Sequence, residues 1–197
     1  MIRHSLCYFF LPVWALALLS PLAAQDLSLE MDPAQSKVEF TLGDVLHTVR
    51  GTFQLKRGAI RFDTASGKAA GELLVDARSG ASGNDTRDRK MHKEILESQR
   101  FADVLFRPDR VDGKLAPQGV SQVQVHGSFA IHGSEHELTA PVEVRASGGQ
   151  YTITARFSVP YQKWGMKNPS TLFLRVDDKV EITVHSVARL LSTSPSQ

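Results

Sequence analysis

Residues 151–159 read YTITARFSV, and their side chains alternate between apolar and polar at every step. The apolar positions share one parity and are Tyr151, Ile153, Ala155, Phe157 and Val159. Because successive side chains of a β-strand point to opposite faces, this alternation predicts a strand with one face buried and the other in water.

The same alternation recurs on both sides of this stretch. It marks further strands over residues 36–42, 47–55, 59–63, 73–77, 104–111, 123–131, 138–146, 172–176 and 180–184. Short turns rich in glycine and charged residues separate most of them, including one expected at residues 56–58 and a hairpin turn at 133–136. Many short strands with regular turns favour an all-β antiparallel sandwich or barrel over a parallel α/β sheet.

One segment, residues 82–101, breaks the pattern with SGNDTRDRKMHKEILESQRF. Asn84 or Asp85 can act as the N-cap of a short helix. Met91 and Ile95 lie four residues apart, so they share one helical face, with Leu96 beside them. A single short helix with a thin apolar stripe, set among strands, predicts a cap over the sheet or barrel.

The orientation of this cap follows from the stripe. We expect Met91, Ile95 and Phe101 to face the interior, and Lys90 and Lys93 to face water. Arg87 and Asp88, in the first helical turn, are interpreted as residues that order the cap rather than as catalysts.

The first 24 residues have the features of a secretory signal peptide. Arg3 provides a basic start, residues 6–19 are apolar, and small residues precede a cleavage site after Ala24. A membrane anchor is the alternative, but the apolar run is shorter than the ~20 residues of a span and Pro12 interrupts it. We expect a periplasmic or secreted protein without a stable membrane anchor, with a barrel domain over residues 25–190 and a disordered tail over 191–197.

Composition excludes several function classes. The formal net charge is +2 and no dense basic run is present, so nucleic acid is a poor candidate partner. The only cysteine, Cys7, lies in the signal peptide. The mature chain therefore lacks thiol catalysis, disulfides and cysteine-ligated metals.

Residues 132–136, HGSEH, match the H-x-x-E-H pattern of some zinc proteases. That chemistry needs both histidines on one helical face, whereas this motif follows a predicted strand and contains a Gly-Ser turn pair. The sequence predicts a polar hairpin tip, no metal site and no cofactor. It also contains no G-x-S-x-G elbow, and we expect a protein that is not an enzyme.

Three motifs together resemble a known family. They are HTVRGTF at residues 47–53, SGNDTRD followed by Met91 and His92 at residues 82–92, and the paired VHG and IHG of residues 125–133. In order and spacing, residues 32–187 resemble the YceI-like family of periplasmic lipid-binding proteins. The resemblance implies a lipocalin-like eight-stranded antiparallel barrel with a short helical cap. It also implies an apolar lumen that carries an isoprenoid or fatty-acyl amphiphile, and it transfers no catalytic residues.

Strand parity and the cap stripe select the candidate ligand-binding residues. They are Phe40, Val49, Phe53, Val75, Phe106, Phe129 and Phe157 from strands, Met91, Ile95 and Phe101 from the cap, and His47 and Trp164 near the rims. His47 either bonds backbone at the rim or contacts ligand, and Trp164 either plugs one end of the core or lines an entrance.

Two alternatives stay open from sequence alone. Core and lumen phenylalanines have the same pattern, so a filled barrel that acts as a stress or protein-interaction module competes with a lipid carrier. The sequence leaves the oligomeric state open, with a homodimer as one candidate.

Overall fold

The computed structural model describes residues 25–43, 48–170 and 175–195. The described chain forms antiparallel strands, which are β1 Gln25–Met31, β2 Lys37–Gly43, β3 Thr48–Asp63, β4 Ala69–Ala81, β5 Asp103–Asp112, β6 Gly119–Ile131, β7 Ser134–Ser147, β8 Gln150–Val159 and β9 Val180–Pro195. The predicted signal peptide and His47 lie outside the described residues.

The strands close into a barrel of eight strand positions. From β3 through β9, each strand pairs with the next one along the chain. The barrel closes between β9 and β3 through a single position that β1 and β2 share. β2 pairs with the first half of β3 and β1 with its second half, while both also pair with β9. The expected all-β, eight-stranded antiparallel barrel is therefore confirmed, with its first strand divided in two.

A 3₁₀ turn, Pro33–Gln35, divides that first strand. Asp32 caps the turn, because its Oδ1 accepts a hydrogen bond from the Ala34 amide at 2.9 Å. Pro33 has no amide hydrogen to donate to a strand neighbour. A hydrogen bond joins the end of the turn to β9, because the Ser36 and Ser186 hydroxyls lie 2.7 Å apart.

The turn expected at residues 56–58 is wrong. β3 runs without interruption from Thr48 to Asp63 and accommodates two register shifts against β4. Gly58 is needed for close packing, because a Cβ there would lie 2.7 Å from the sulfur of Met31 on β1. Gly51 also permits a close backbone approach, since a Cβ there would lie 2.4 Å from the Ala81 carbonyl oxygen.

The predicted disordered tail is corrected over residues 191–195. β9 continues to Pro195 and pairs with β1, with Gln25 opposite Pro195. β1 would otherwise expose unpaired amides and carbonyls along this edge, so a polar partner strand gains backbone hydrogen bonds without needing apolar side chains.

The cap comprises helix α1, Asp85–Lys90, which continues into a π-helical turn, Met91–Ile95. Asn84 is the N-cap, and its side chain accepts from the Arg87 amide at 2.9 Å. Asp88 accepts from the Ser82 amide at 3.0 Å, and Arg87 Nε donates to the Ser82 hydroxyl at 2.8 Å. Arg87 and Asp88 thus order the start of the cap.

The far end of the cap is tied to the barrel through His92. Its Nε2 lies 2.8 Å from the Gly80 carbonyl oxygen, and its Nδ1 lies 3.0 Å from the hydroxyl of buried Ser98. Gly80 lets the cap pack closely, because a Cβ there would lie 2.5 Å from the Phe53 ring and 2.9 Å from Met91.

The buried apolar residues of the barrel form two groups. One group includes Leu29, Phe62 and Val123, and the other, beside the cap, includes Phe129, Val159 and Met166. Across the part of the chain that the structure describes, no helix is long and apolar enough to cross a membrane.

Candidate ligand-binding cavity

An internal cavity of about 590 Å³ extends along the barrel, and all nine strands contribute to its wall. This volume lies within the ~300–1,000 Å³ range of small-molecule sites. The wall follows from strand parity, since β8 contributes Ile153, Ala155 and Phe157 while its intervening residues point outward. The barrel interior therefore contains free volume, in contrast to the filled barrel that sequence alone left open.

The chemistry of the wall is uneven. Apart from Tyr161, the polar side chains among the described lining residues come from one segment at the cap, and they are Ser82, Asn84, Thr86, Arg87 and Lys90. The rest of the described wall is apolar or glycine. An apolar tube with polar groups at one end suits an amphiphile better than a polar metabolite.

Most of the sequence-predicted site residues line this cavity. They are Phe40, Val49, Phe53, Val75, Met91, Ile95, Phe106, Phe129 and Phe157. Phe40 and Phe53 pack with their ring centroids 5.4 Å apart, and Phe129 and Phe157 pack edge to face at 6.0 Å. Their contact with a ligand stays a prediction.

Phe101 does not line the cavity, contrary to expectation. Its ring packs on His132 with the centroids 4.6 Å apart, and it lies against Gly133 of the β6–β7 hairpin. The π-helical turn ends at Ile95, and Glu97 then adopts a φ of 46° that redirects the chain. The helical spacing used to place Phe101 therefore ends before Phe101 is reached.

Trp164 is also absent from the cavity wall. Its ring stacks on His136 with the centroids 4.1 Å apart and the planes at 3°, and it lies 5.7 Å from the Phe129 ring. Trp164 thus packs against the lining residue Phe129 without itself lining the cavity.

Lys90 lines the cavity, so its expected water-facing position is wrong, whereas Lys93 is exposed as expected. Lys90 Nζ lies 3.4 Å from the Pro169 carbonyl oxygen, which draws the side chain across the cavity mouth. Sequence reasoning also missed the inward-facing Leu42, Leu138 and Ile182, although they follow the same parity as the residues it selected.

The H-x-x-E-H motif lies on the β6–β7 hairpin. His132 and Gly133 form its two-residue turn with φ of 52° and 78°, so the turn begins one residue earlier than predicted. His132 Nε2 lies 3.4 Å from Glu97 Oε1, while His136 stacks on Trp164. Across the described ranges, no group of three or more His, Cys, Asp or Glu side chains is placed to hold a metal ion.

Tyr161 supports the loop that follows β8. Its hydroxyl donates to the Asp177 carbonyl oxygen at 2.5 Å. Burial, followed by the nearby carboxylates of Asp178 and Asp177, raises the pKa of Tyr161 to about 12. The phenol therefore stays neutral and keeps donating across the physiological range.

Comparison with known proteins identifies the family of this chain. The profile of the YceI-like domain matches residues 29–188, which is most of the chain. The chain belongs to the YceI-like family. Among curated proteins, none matches it.

Solved structures share the YceI-like fold at low sequence identity. BcnA of Burkholderia cenocepacia is 19% identical with a TM-score of 0.66, covering 80% of this chain and 98% of BcnA. A polyisoprenoid binding domain from Saccharophagus degradans, implicated in plant cell wall breakdown, is 12% identical with a TM-score of 0.63, covering 83% and 99%. The Campylobacter jejuni YCEI protein is 13% identical with a TM-score of 0.52, covering 71% and 80%.

Proposed function

We propose that this YceI-like barrel binds an isoprenoid or another long-chain amphiphile in its lumen, without catalysis. The observation that carries the proposal is the apolar cavity of about 590 Å³, walled by all nine strands. The similarity to a polyisoprenoid binding domain supports the same class of ligand.

The physical chemistry of the wall is sufficient for useful affinity. Each buried methylene contributes ~0.8 kcal/mol, so about ten buried carbons contribute roughly 8 kcal/mol, near micromolar before the ordering costs of binding. Few directional contacts are needed, and tube length and mouth polarity would set the specificity.

The small number of acid–base groups in the cavity wall also fits a carrier role. The lining side chains that could act as a general acid or base are limited to Lys90 and the high-pKa Tyr161 among the described residues. The signal-like residues 1–24 lead us to place this activity in the periplasm or outside the cell.

Two assays test the proposal. Organic extraction of the purified protein should release a co-purifying prenyl or acyl lipid. The delipidated protein should then take up a fluorescent prenyl or fatty-acyl probe with 1:1 stoichiometry. An empty extract together with no uptake of either probe would contradict the carrier role and favour a surface-acting interaction module.

A further inference from the structure

The charged side chains that line the cavity are cations, while the Asp88 carboxylate of the same segment does not line it and accepts from the amide and hydroxyl of Ser82. Among the described lining residues the charged side chains are Arg87 and Lys90, and neither has a carboxylate oxygen within 4.0 Å in the described part of the chain. Asp177 comes near the mouth behind Gly43, where its carboxylate packs against the glycine, and it does not line the cavity.

Both cations have hydrogen-bond donors to spare. Arg87 uses Nε and Nη2 on the hydroxyl and carbonyl of Ser82, at 2.8 and 3.4 Å, which leaves the rest of its guanidinium hydrogens without an acceptor among the described residues. Lys90 has three donors and makes one long contact, to the Pro169 carbonyl oxygen at 3.4 Å.

Arg87 and Lys90 differ from the other cations of the cap in lining the cavity, although Arg87 is itself exposed. Arg89 and Lys93 belong to the same cap segment, are exposed, and do not line the cavity. Lys90 is half-buried at the wall, three residues from Arg87 and one turn of helix away, so both can reach one group at the mouth. Ser82, Asn84 and Thr86 add neutral polar groups beside them.

We propose that the bound amphiphile carries an anionic oxygen head group, a phosphate or a carboxylate, held at this mouth by Arg87 and Lys90. This inference rests on the proposed function and deepens it. The apolar chain enters the tube with its tail toward the end of the barrel remote from the cap, and the anion stays beside the cap. Arg87 offers a planar fork to two oxygens, and Lys90 offers a point charge.

Three probes with one chain length test the head group. Hexadecyl phosphate, hexadecanoate and hexadecanol are titrated into delipidated protein at a pH where both acids are ionised. We expect the two anions to bind roughly tenfold or more tightly than the alcohol, because charge-assisted hydrogen bonds form only with the anions. Added salt should weaken binding of the anions and leave the alcohol unchanged. The order of phosphate and carboxylate identifies which head group the mouth prefers.

Matched variants distinguish loss of the two cations at the cavity mouth from an equal change in net charge elsewhere on the cap. The double variant Arg87→Gln/Lys90→Gln should lower anion affinity to that of the alcohol, whereas Arg89→Gln/Lys93→Gln, with the same charge change on the same segment, should bind as wild type. Because Arg87 also orders the cap, Lys90→Gln alone is measured as well and should lose several-fold in anion affinity with an unchanged circular dichroism spectrum.

The outcomes discriminate between the two proposals. If wild-type protein binds all three probes equally, or if both double variants lose anion affinity alike, the head-group inference is wrong while the carrier role stands. If none of the probes binds, the carrier role itself fails.

Discussion

Filling the lumen from one inward-facing position should abolish ligand uptake without harming the barrel. Ala155, on β8, lines the cavity, and its strand neighbours Val142 and Val184 line it too. In Ala155→Phe the added ring has about six carbons and displaces a similar number of ligand carbons. At ~0.8 kcal/mol per methylene this loss is about 5 kcal/mol, which corresponds to a Kd increase of more than about a thousandfold.

Stability gives this variant a second, independent readout. Extra carbons in a close-packed core cost ~1–3 kcal/mol, and each kcal/mol lowers the Tm by ~2–4 °C in a chain of this size. In an open lumen the ring occupies empty volume, so the Tm of the delipidated protein should not fall.

The assay is probe titration alongside thermal unfolding of wild type, Ala155→Phe and Thr152→Phe. Thr152 is exposed on the outer face of the same strand, so Thr152→Phe should bind the probe as wild type does. A folded Ala155→Phe protein with wild-type affinity would refute the lumen as the binding site. A Tm lowered by several degrees in delipidated Ala155→Phe would show that the interior is filled.

Three further predictions concern the cap, the hairpin and one loop. Gly133→Ala should destabilise the protein by ~2–3 kcal/mol in urea unfolding, because it forces a non-glycine residue to a φ of 78° and brings a Cβ within 2.6 Å of the Phe101 ring. The control Gly148→Ala, with a φ of 57° and open space around the new Cβ, should cost only the ~1 kcal/mol of backbone strain. Asn84→Ala removes the N-cap acceptor and should cost ~1 kcal/mol, seen as faster hydrogen exchange confined to residues 85–95, whereas equal acceleration across the strands would contradict a local cap. Burial raises the pKa of Tyr161 from 10.0 to about 12, so the folded state holds the phenolic proton more tightly than the unfolded state. The stability that this proton contributes should be complete below pH 10 and decline as the pH rises toward 12. Tyr161→Phe should flatten that decline in urea unfolding measured across this pH range.

Strand parity was the part of the structure that sequence could predict well. Tyr151, Ile153 and their partners point inward as the alternation of residues 151–159 predicts, because a one-residue slip would turn every apolar side chain of β8 toward water. The N-cap at Asn84 and the inward stripe of Met91 and Ile95 were also predictable, since both depend on neighbours within a few residues.

The errors arose where distant contacts decide the structure. Gly58 resembles a turn residue in sequence, but the approach of Met31 from β1 explains the need for a glycine within a continuous strand. Residues 191–195 lack apolar alternation, yet β1 provides a backbone edge for them to pair with. Phe101 is aromatic like the lining residues, and only the redirection of the chain at Glu97 separates it from the lumen.

The central claim, that the lumen holds an amphiphile in the native protein, is tested most directly by native mass spectrometry of detergent-free protein prepared from its own host. We expect wild-type protein to carry one apolar adduct that dissociates on collisional activation. Ala155→Phe prepared in parallel should be detected without that adduct. Bare wild-type protein at the mass of the chain alone, or an adduct that persists undiminished in Ala155→Phe, would contradict the account.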